Sequence, residues 1–542
     1  MAMAMAMAMA MAKKVSASQA SAFQPMNTNL IPTPLASLIP SKTMVSGLLV
    51  LVAMSAQAQE SDVVAGKPVV VIVPRVTLTE TLTNNVALSN INPRSEQITE
   101  ISPGIRLQID GARIKTYLDY TLTEVVYAKN TSPSNSLQAL NAFGSVQAIE
   151  NQLFVDFNGT ISQQAISAFG SQSIDNTSVN ANRTEVSTYR ISPYFKGQLA
   201  GIADYEARYS RSITSSDAEA ASTSTANDRS IKVTSSNSFK GLGWTADLSR
   251  QSVSYSEGRA TKLDTINFGP RYDVNPQIQI YAKVGRETNN FTSEATQKYN
   301  TSTIGVKWVP STLSTFNLER SHRSFGDAYN LSLEHRTART AWKFTDNKDV
   351  SSTSGQTAAS SKGSMYDLLF SQFASTEPDP VARARLVDDY LLTNGISATA
   401  NTDNSFQTAA ISLQRRQELS FALLGVRDAI TFAASRSETS RLDTVSTAVD
   451  DLAAGQVRQQ SLSLQFAHRL TPDYALGLLF SWQKNSGNAS LSDTNLRSAN
   501  VIVGGKLGKK STVLLGARRT VADGDSAPYS ESAVIGQINV QF

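Results

Sequence analysis

A closed, membrane-spanning antiparallel β-barrel of about 22 strands is the fold the sequence predicts, and three observations predict it. Segments of roughly ten to fourteen residues alternate apolar and polar side chains with period two, as strands do when their two faces meet different media. Compact turns and longer polar stretches take turns between them, and the last ten residues form one more such strand that stops on Phe542. Outside the N-terminal stretch, no apolar run reaches the roughly 18 residues that a membrane-spanning helix needs.

Bulk composition narrows the function classes. Of 542 residues only 17% are charged and 7% aromatic, while Ser, Thr, Asn and Gln abound. That is poor material for several dry cores and good material for one large barrel with a wet interior. A net charge of +4, with no long Lys/Arg block, argues against nucleic acid as a partner. The absence of Cys excludes a disulfide framework and a thiolate metal site.

The N-terminus reads as export. Residues 1–12 are a Met-Ala repeat, read as an over-extended start, with Met26 or Met44 as alternative beginnings. Lys42 then precedes the short apolar run Met44 to Met54, and Ala56-Gln57-Ala58 supplies small residues at a cleavage site. Residues 1–58 are therefore expected to be leader and signal peptide, 59–70 a short periplasmic lead-in, and 71–542 the barrel. The lead-in is too short to form a large N-terminal plug.

Along the barrel the alternation repeats. Ile114, Leu118, Tyr120, Leu122 and Val126 share one face, and Arg113, Lys115, Tyr117, Asp119, Thr121 and Thr123 the other. Leu153, Val155, Phe157 and Ile161 oppose Gln152, Asp156, Asn158 and Thr160. Ile278, Ile280, Ala282 and Val284 oppose Gln277, Gln279, Tyr281 and Lys283. Tyr474, Leu476, Leu478, Phe480 and Trp482 oppose Ala475, Gly477 and Ser481. Asp110-Gly111, Gly241-Leu242-Gly243, Asn275-Pro276, Val309-Pro310-Ser311, Thr471-Pro472-Asp473 and Gly508-Lys509-Lys510 carry compact turn chemistry. Between them run longer polar stretches such as Ser215 to Asp228, Asn289 to Gln297 and Leu442 to Gln456. An even strand count places both ends of the barrel on the periplasmic side. A propeller or solenoid would show a repeated block, and none is found.

In the terminal strand, Val534, Gly536, Ile538, Val540 and Phe542 lie on one face, and Gln537, Asn539 and Gln541 on the other. This pattern resembles the C-terminal signal by which bacterial barrel-insertion machinery receives its substrates. The machinery and outer-membrane lipid are therefore expected partners.

One segment, 349–405, breaks the rhythm and reads as a long extracellular loop containing a short helix. Val381 to Leu392 follows Glu377-Pro378-Asp379-Pro380 and ends at Asn394-Gly395, with Leu386, Val387, Tyr390 and Leu391 on one helical face. Asp388-Asp389 reads as a solvated face. The helix is expected either inside the pore as a constriction or over its surface as a cap.

Candidate chemistry is sparse. His322, His335 and His468 are each followed by Arg, and alternation separates each pair onto opposite faces. No HExxH, phosphate-binding loop or GxSxG element occurs, so neither catalytic residues, nor a cofactor, nor a metal is expected. The polar faces instead carry charges: Arg113, Lys115, Asp119, Lys283, Glu319 and Arg323, then Glu334, Arg336, Lys343, Arg469, Lys506 and Arg518. Unpaired in a dry interior each would cost several kcal/mol. These residues are expected to line a hydrated lumen, and rings of Arg and Lys would tilt it toward anions.

The stretches Arg323-Ser324-Phe325-Gly326-Asp327-Ala328-Tyr329 and Leu331 to Trp342 resemble the PEP-CTERM system-associated outer-membrane protein family. Asn182 to Val186, Tyr189 to Tyr194 and Ala422 to Arg427 add to the likeness, which runs from about Val71 to Phe542. The resemblance implies a Gram-negative outer-membrane barrel linked to exopolysaccharide, with no catalytic residues to transfer. The expected function is a non-enzymatic channel or export conduit, with polysaccharide or export-system components as partners. A non-conducting structural or adhesin-like barrel that binds surface polymer is the alternative.

Overall fold

The computed structural model describes residues 69–542 apart from 219–222, 236–240, 257, 352–368, 371–372, 374–376, 378, 394–405, 409, 444–449, 488–492 and 525–527. The predicted signal peptide and most of the Ser/Gly-rich stretch before the helix lie outside the described residues, as does Asn394-Gly395.

Alternation of the kind described above lets a strand bury nothing on its own, so each strand must pair on both edges and the sheet must close. It does. The strands are β1 (Val69–Thr83), β2 (Glu96–Asp110), β3 (Ile114–Tyr127), β4 (Asn135–Ile149), β5 (Leu153–Ala165), β6 (Arg183–Leu199), β7 (Ala203–Ser216) and β8 (Ser224–Ser235). They continue as β9 (Leu242–Tyr255), β10 (Thr261–Asn275), β11 (Ile278–Asn289), β12 (Gln297–Ser311), β13 (Ser314–Arg323), β14 (Gly326–Arg336) and β15 (Thr340–Ser351). The last seven are β16 (Ser412–Leu424), β17 (Asp428–Arg441), β18 (Val457–Arg469), β19 (Tyr474–Ser486), β20 (Thr494–Lys506), β21 (Ser511–Gly524) and β22 (Tyr529–Gln541). Each pairs antiparallel with its neighbours in sequence, in one 22-stranded sheet. β1 closes the barrel on β22 in a register from Arg75 opposite Gln541 to Thr83 opposite Ala533. The Phe542 amide donates to the Pro74 carbonyl at 2.9 Å and fastens the seam.

The two ends of the barrel differ. All six compact turns read from the sequence fall at one end, where connections such as 276–277 and 312–313 are tight. At Ala200 (φ 49°) and Gly201 (φ 71°) the turn needs two consecutive left-handed residues, the twist a two-residue hairpin demands. At the other end lie the longer connections, among them 166–182, 442–456 and the longest, 352–411. The first strand begins at Val69 rather than at 71, and the long loop spans 352–411 rather than 349–405, because pairing of β15 with β16 continues to Ser351 opposite Ser412.

The exterior is apolar nearest the short-turn end. Val284, Ile304, Leu515 and Val534 all point outward and are exposed, Val284 by 68%. On β10 this outward series runs Val274, Tyr272, Phe268, Ile266, and gives way to Asp264 toward the long-loop end. Eight residues at about 3.3 Å each, tilted about 40°, make an apolar band roughly 20 Å tall, the scale of a bilayer core. Trp308, Trp342 and Tyr474 mark its short-turn edge, and Trp482, whose Nε1 donates to Asn495 at 2.8 Å, stands at the other. Val534, Ile538 and Phe542 of the terminal strand face outward within this band.

Candidate functional site in the lumen

The interior is built from the polar faces of the strands and two chain segments that fold into it. The first is helix α1 (Pro380–Thr393), close to the predicted Val381 to Leu392. Its start is set locally. Asp379 is the N-cap, its Oδ1 accepting from the amides of Val381 at 2.9 Å and Ala382 at 3.1 Å, and Pro380 takes the first helical position.

The loop that carries α1 leaves the long-loop end, yet the helix packs at the short-turn end, inside the wall. Val381, Ala384 and Val387 recur at helical spacing and are buried against Tyr117, Ala429 and Ala467, with Leu386 and Tyr390 partly buried on the same cluster. Tyr117 stacks on Phe143 at 5.2 Å, and Phe143 meets the edge of Phe370 at 6.1 Å. Of the two placements open from the sequence, the helix takes the interior one. Burial pushes the Tyr390 phenol up to about 12, with the Arg469 guanidinium acting in the opposite sense.

Polar contacts fix this packing. Lys115 pairs with Asp379 and also with Asp110, at 3.4 Å. Asp388 corrects the expectation of a solvated helix face: its side chain is only 8% exposed, Arg106 lies 3.2 Å away, and the Tyr117 hydroxyl donates to it. Arg106 also reaches Asp119 at 3.3 Å, and Arg75 donates to Asp119 at 3.1 Å. A polar pattern on a helix looks the same whether water or a charged wall satisfies it, so the sequence could not distinguish the two. The side chain of Asp389 lies outside the described residues.

The second inward segment, 166–182, is not among the elements the sequence predicts. Ala168 and Phe169 are buried against Phe406, Ala410, Leu452 and Val457. The Asp451 carboxylate accepts from the Ala168 amide at 2.6 Å, and Tyr127 and Tyr529 donate to the carbonyls of Thr177 and Gln172 at 2.8 and 2.7 Å. Asp175 is paired with Arg518, which also reaches Glu531 at 2.9 Å. Burial opposes ionisation of Asp175, but the Arg518 and Arg183 guanidinia outweigh it and hold its carboxyl below the usual range. The segment thus crosses the long-loop mouth from β5 toward β19, β21, β22 and β3. Its only sequence signal is an apolar Ala168-Phe169 within a polar loop.

Both segments lean on one arc of the wall, β17 through β22 to β4. Tyr117 and Ala467 there are 0% and 1% exposed. Across the barrel, from β5 to β15, some inward side chains stay open, with Glu206 at 44%, Glu334 at 46% and Lys343 at 41%, while others, such as Glu287 and Thr245, are buried in contacts along the wall. Ser230 and Asn347 on this arc are exposed too. The rest of its inner surface is hydroxyl- and amide-rich, as where Thr303 meets Ser321 at 2.9 Å.

The predicted lining charges fall into three groups. Lys283 pairs with Asp247 at 2.6 Å, Arg323 with Glu287 at 2.8 Å and Asp349 at 2.6 Å, and Lys343 with Glu334 at 3.3 Å. Glu319 accepts from Tyr281 at 2.7 Å. Lys115, Asp119 and Arg518 belong to the contacts of the two inward segments. Arg113 lies in the turn before β3, exposed and paired with Glu150 at 2.8 Å, while Arg336, Arg469 and Lys506 end their strands at the short-turn mouth. Acids therefore answer most of the basic residues, which removes the physical ground for a strong anion preference. Elsewhere on the wall, Phe154 and Tyr194 stack at 5.2 Å with Lys196 over one ring and Arg208 over the other, and Arg208 pairs with Asp156 at 2.9 Å. All three histidines face outward: His322 beside Asp327 at 3.2 Å, His335 beside Ser314 at 2.8 Å and His468 beside Asp428 at 2.6 Å.

The fold is similar, at low identity, to several solved structures. The FrpB iron transporter from Neisseria meningitidis (F5-1 variant) is 9% identical, with 87% of this chain and 82% of that chain covered and a TM-score of 0.46. The siderophore receptor PirA from Pseudomonas aeruginosa is 8% identical over 88% and 81%, with a TM-score of 0.40. The outer membrane protein opdK from Pseudomonas aeruginosa is 9% identical over 87% and 99%, with a TM-score of 0.30. No protein-family model and no curated protein matches the sequence.

Proposed function

We propose that the chain is an outer-membrane channel or export conduit whose lumen is narrowed on one side by α1 and the 166–182 segment. The observation that carries this reading is the asymmetry of the lumen. One arc is covered by the two inward segments, which bury side chains such as Tyr117 and Ala467, and the arc from β5 to β15 carries no such cover among the described residues and presents part-exposed, charge-paired, hydroxyl-rich side chains. Such a wall offers hydrogen bonds in both senses and little net field. It suits uncharged, hydroxyl-rich cargo, and the resemblance to the PEP-CTERM-associated family adds an extracellular polysaccharide as the cargo class.

Planar-bilayer recording of the refolded barrel tests this. The expected result is discrete conductance with reversal potentials near zero in a salt gradient, block by neutral oligosaccharides, and no strong preference for anions. Strong anion selectivity would contradict the paired-charge wall. A second reading, a structural or adhesin-like barrel, is favoured by the way 166–182 spans the long-loop mouth; complete absence of conductance from correctly folded protein supports it over the channel.

A further inference from the structure

The outer surface carries a second feature, independent of the lumen. Immediately beyond the apolar band, on the side of the long loops, many outward positions between β7 and β21 are basic, while on β10, β14 and β15 the first outward charge is Asp264, Asp327 and Asp346. Arg211 follows Tyr209, Arg229 lies beyond Ile231, Arg286 beyond Val284, and Arg519 beyond Ala517 on their strands. On these four strands the step from apolar to cationic occurs within two residues, which sets the charges in a tier at the edge of the apolar band.

Two observations show that the protein neutralises this tier only in part. The outward acids Asp264, Asp327, Asp346 and Glu438 are each engaged, by Arg250 at 2.8 Å, Arg320 at 2.6 Å, Arg415 at 2.9 Å and Arg436 at 2.5 Å. Among the described residues, Arg211, Arg229, Arg286, Arg497 and Arg519 have no acidic partner. Moreover, register sets like charges directly opposite one another, Arg229 against Arg250 and Lys348 against Arg415, and in each pair a single acid, Asp264 or Asp346, answers only the second member. Like charges facing across an antiparallel pair destabilise it. A sheet built this way gains from an anion that bridges the pair.

We infer that this tier is a binding surface for lipid headgroups bearing phosphate, held by Arg guanidinia on the outer leaflet's side of the apolar band. Guanidinium forks match phosphate oxygens in pairs. The apolar side chains beneath take the acyl chains of the same molecule, so headgroup and chains are recognised on one vertical strip. Opposite it, the outward tier on β1 to β6 carries Glu80, Glu124 and Glu185, so the lipid is bound on one side of the barrel, not all round. This inference rests on the reading of the chain as a membrane barrel with its long loops outward, and not on whether the lumen conducts.

Native mass spectrometry of the full barrel in a neutral detergent provides the test, with the folded state first confirmed by a heat-dependent gel shift. Absence of that shift would remove the membrane-barrel reading itself, separately from the lipid site. With folded protein, diphosphoryl lipid A is expected to bind at least ten-fold more tightly than its dephosphorylated form, and the triple variant Arg211→Gln, Arg229→Gln, Arg250→Gln to lose most of that difference. Phosphatidylglycerol bound as tightly as lipid A assigns the surface to glycerophospholipid; weaker binding assigns it to the phosphorylated glycolipid. Equal binding of phosphorylated and dephosphorylated lipid by the unaltered protein overturns the proposal, whether or not the variant folds.

Discussion

Asp379 joins two jobs in one side chain. As N-cap it satisfies two amides at the start of α1, worth about 1 kcal/mol, and through Lys115 it ties the helix to β3. Burial acts against its ionisation, but the Lys115 ammonium and the capping amides hold its carboxyl below the ordinary 3.8. A carboxyl whose folded value is depressed stabilises the docked state above its unfolded value, and that contribution is lost as pH falls through the folded value. Asp175 of the other inward segment is lowered in the same way, by Arg518 and Arg183 against burial. Both segments are therefore expected to stay docked from pH 5 to 8 and to loosen below about pH 3.8. Limited proteolysis of the loop carrying α1 should show new cleavage only in that acid range, and Asp379→Asn should show it at neutral pH. Acid-insensitive protection in the unaltered protein would count against the ion pair as the latch.

The strands keep their register partly through close contacts that the sequence pattern does not show. On the outer face the Tyr474 ring of β19 lies over Gly505 of β20, where an added Cβ would sit 2.1 Å from Tyr474 Cδ1 and 2.9 Å from the Asp473 carbonyl oxygen. A ring covering a strand glycine is a recurrent way of pinning a hairpin. Gly505→Ala should therefore lower stability by roughly 1–3 kcal/mol, the cost of overpacking. Gly536 of the terminal strand has its nearest neighbour at 3.7 Å, so Gly536→Ala should be tolerated. The temperature at which the compact gel band is lost measures both, and equal tolerance at the two positions would contradict the packing. At this scale the alternating strands and the helix boundaries were legible, since period two and the Asp379-Pro380 start are local signals. The destination of α1 was not, because Val381, Ala384 and Val387 find their partners on β3, β17 and β18, far away in sequence.

For the molecule as a whole, what the sequence conveys well is the difference between the two faces of each strand and the two ends of the barrel. Closure of 22 strands follows from those differences together with the need to pair every edge. The lumen was only half legible. Lys283, Arg323 and Lys343 point inward, as their alternation implies, but their neutralisation by Asp247, Glu287 and Glu334 depends on which strands lie side by side. The inward fold of 166–182 is not legible in the sequence because its anchoring residues, Tyr127, Arg518 and Tyr529, are scattered over the chain. Under the proposed function, chain folded into the lumen, and not the barrel wall, limits the passage. Single-channel recording with residues 352–411 replaced by a short Gly-Ser turn tests it most directly, once a gel shift has shown that the variant barrel is folded. A several-fold larger unitary conductance than that of the full chain is expected; an unchanged conductance from a folded variant would show that the inserted chain does not set the passage.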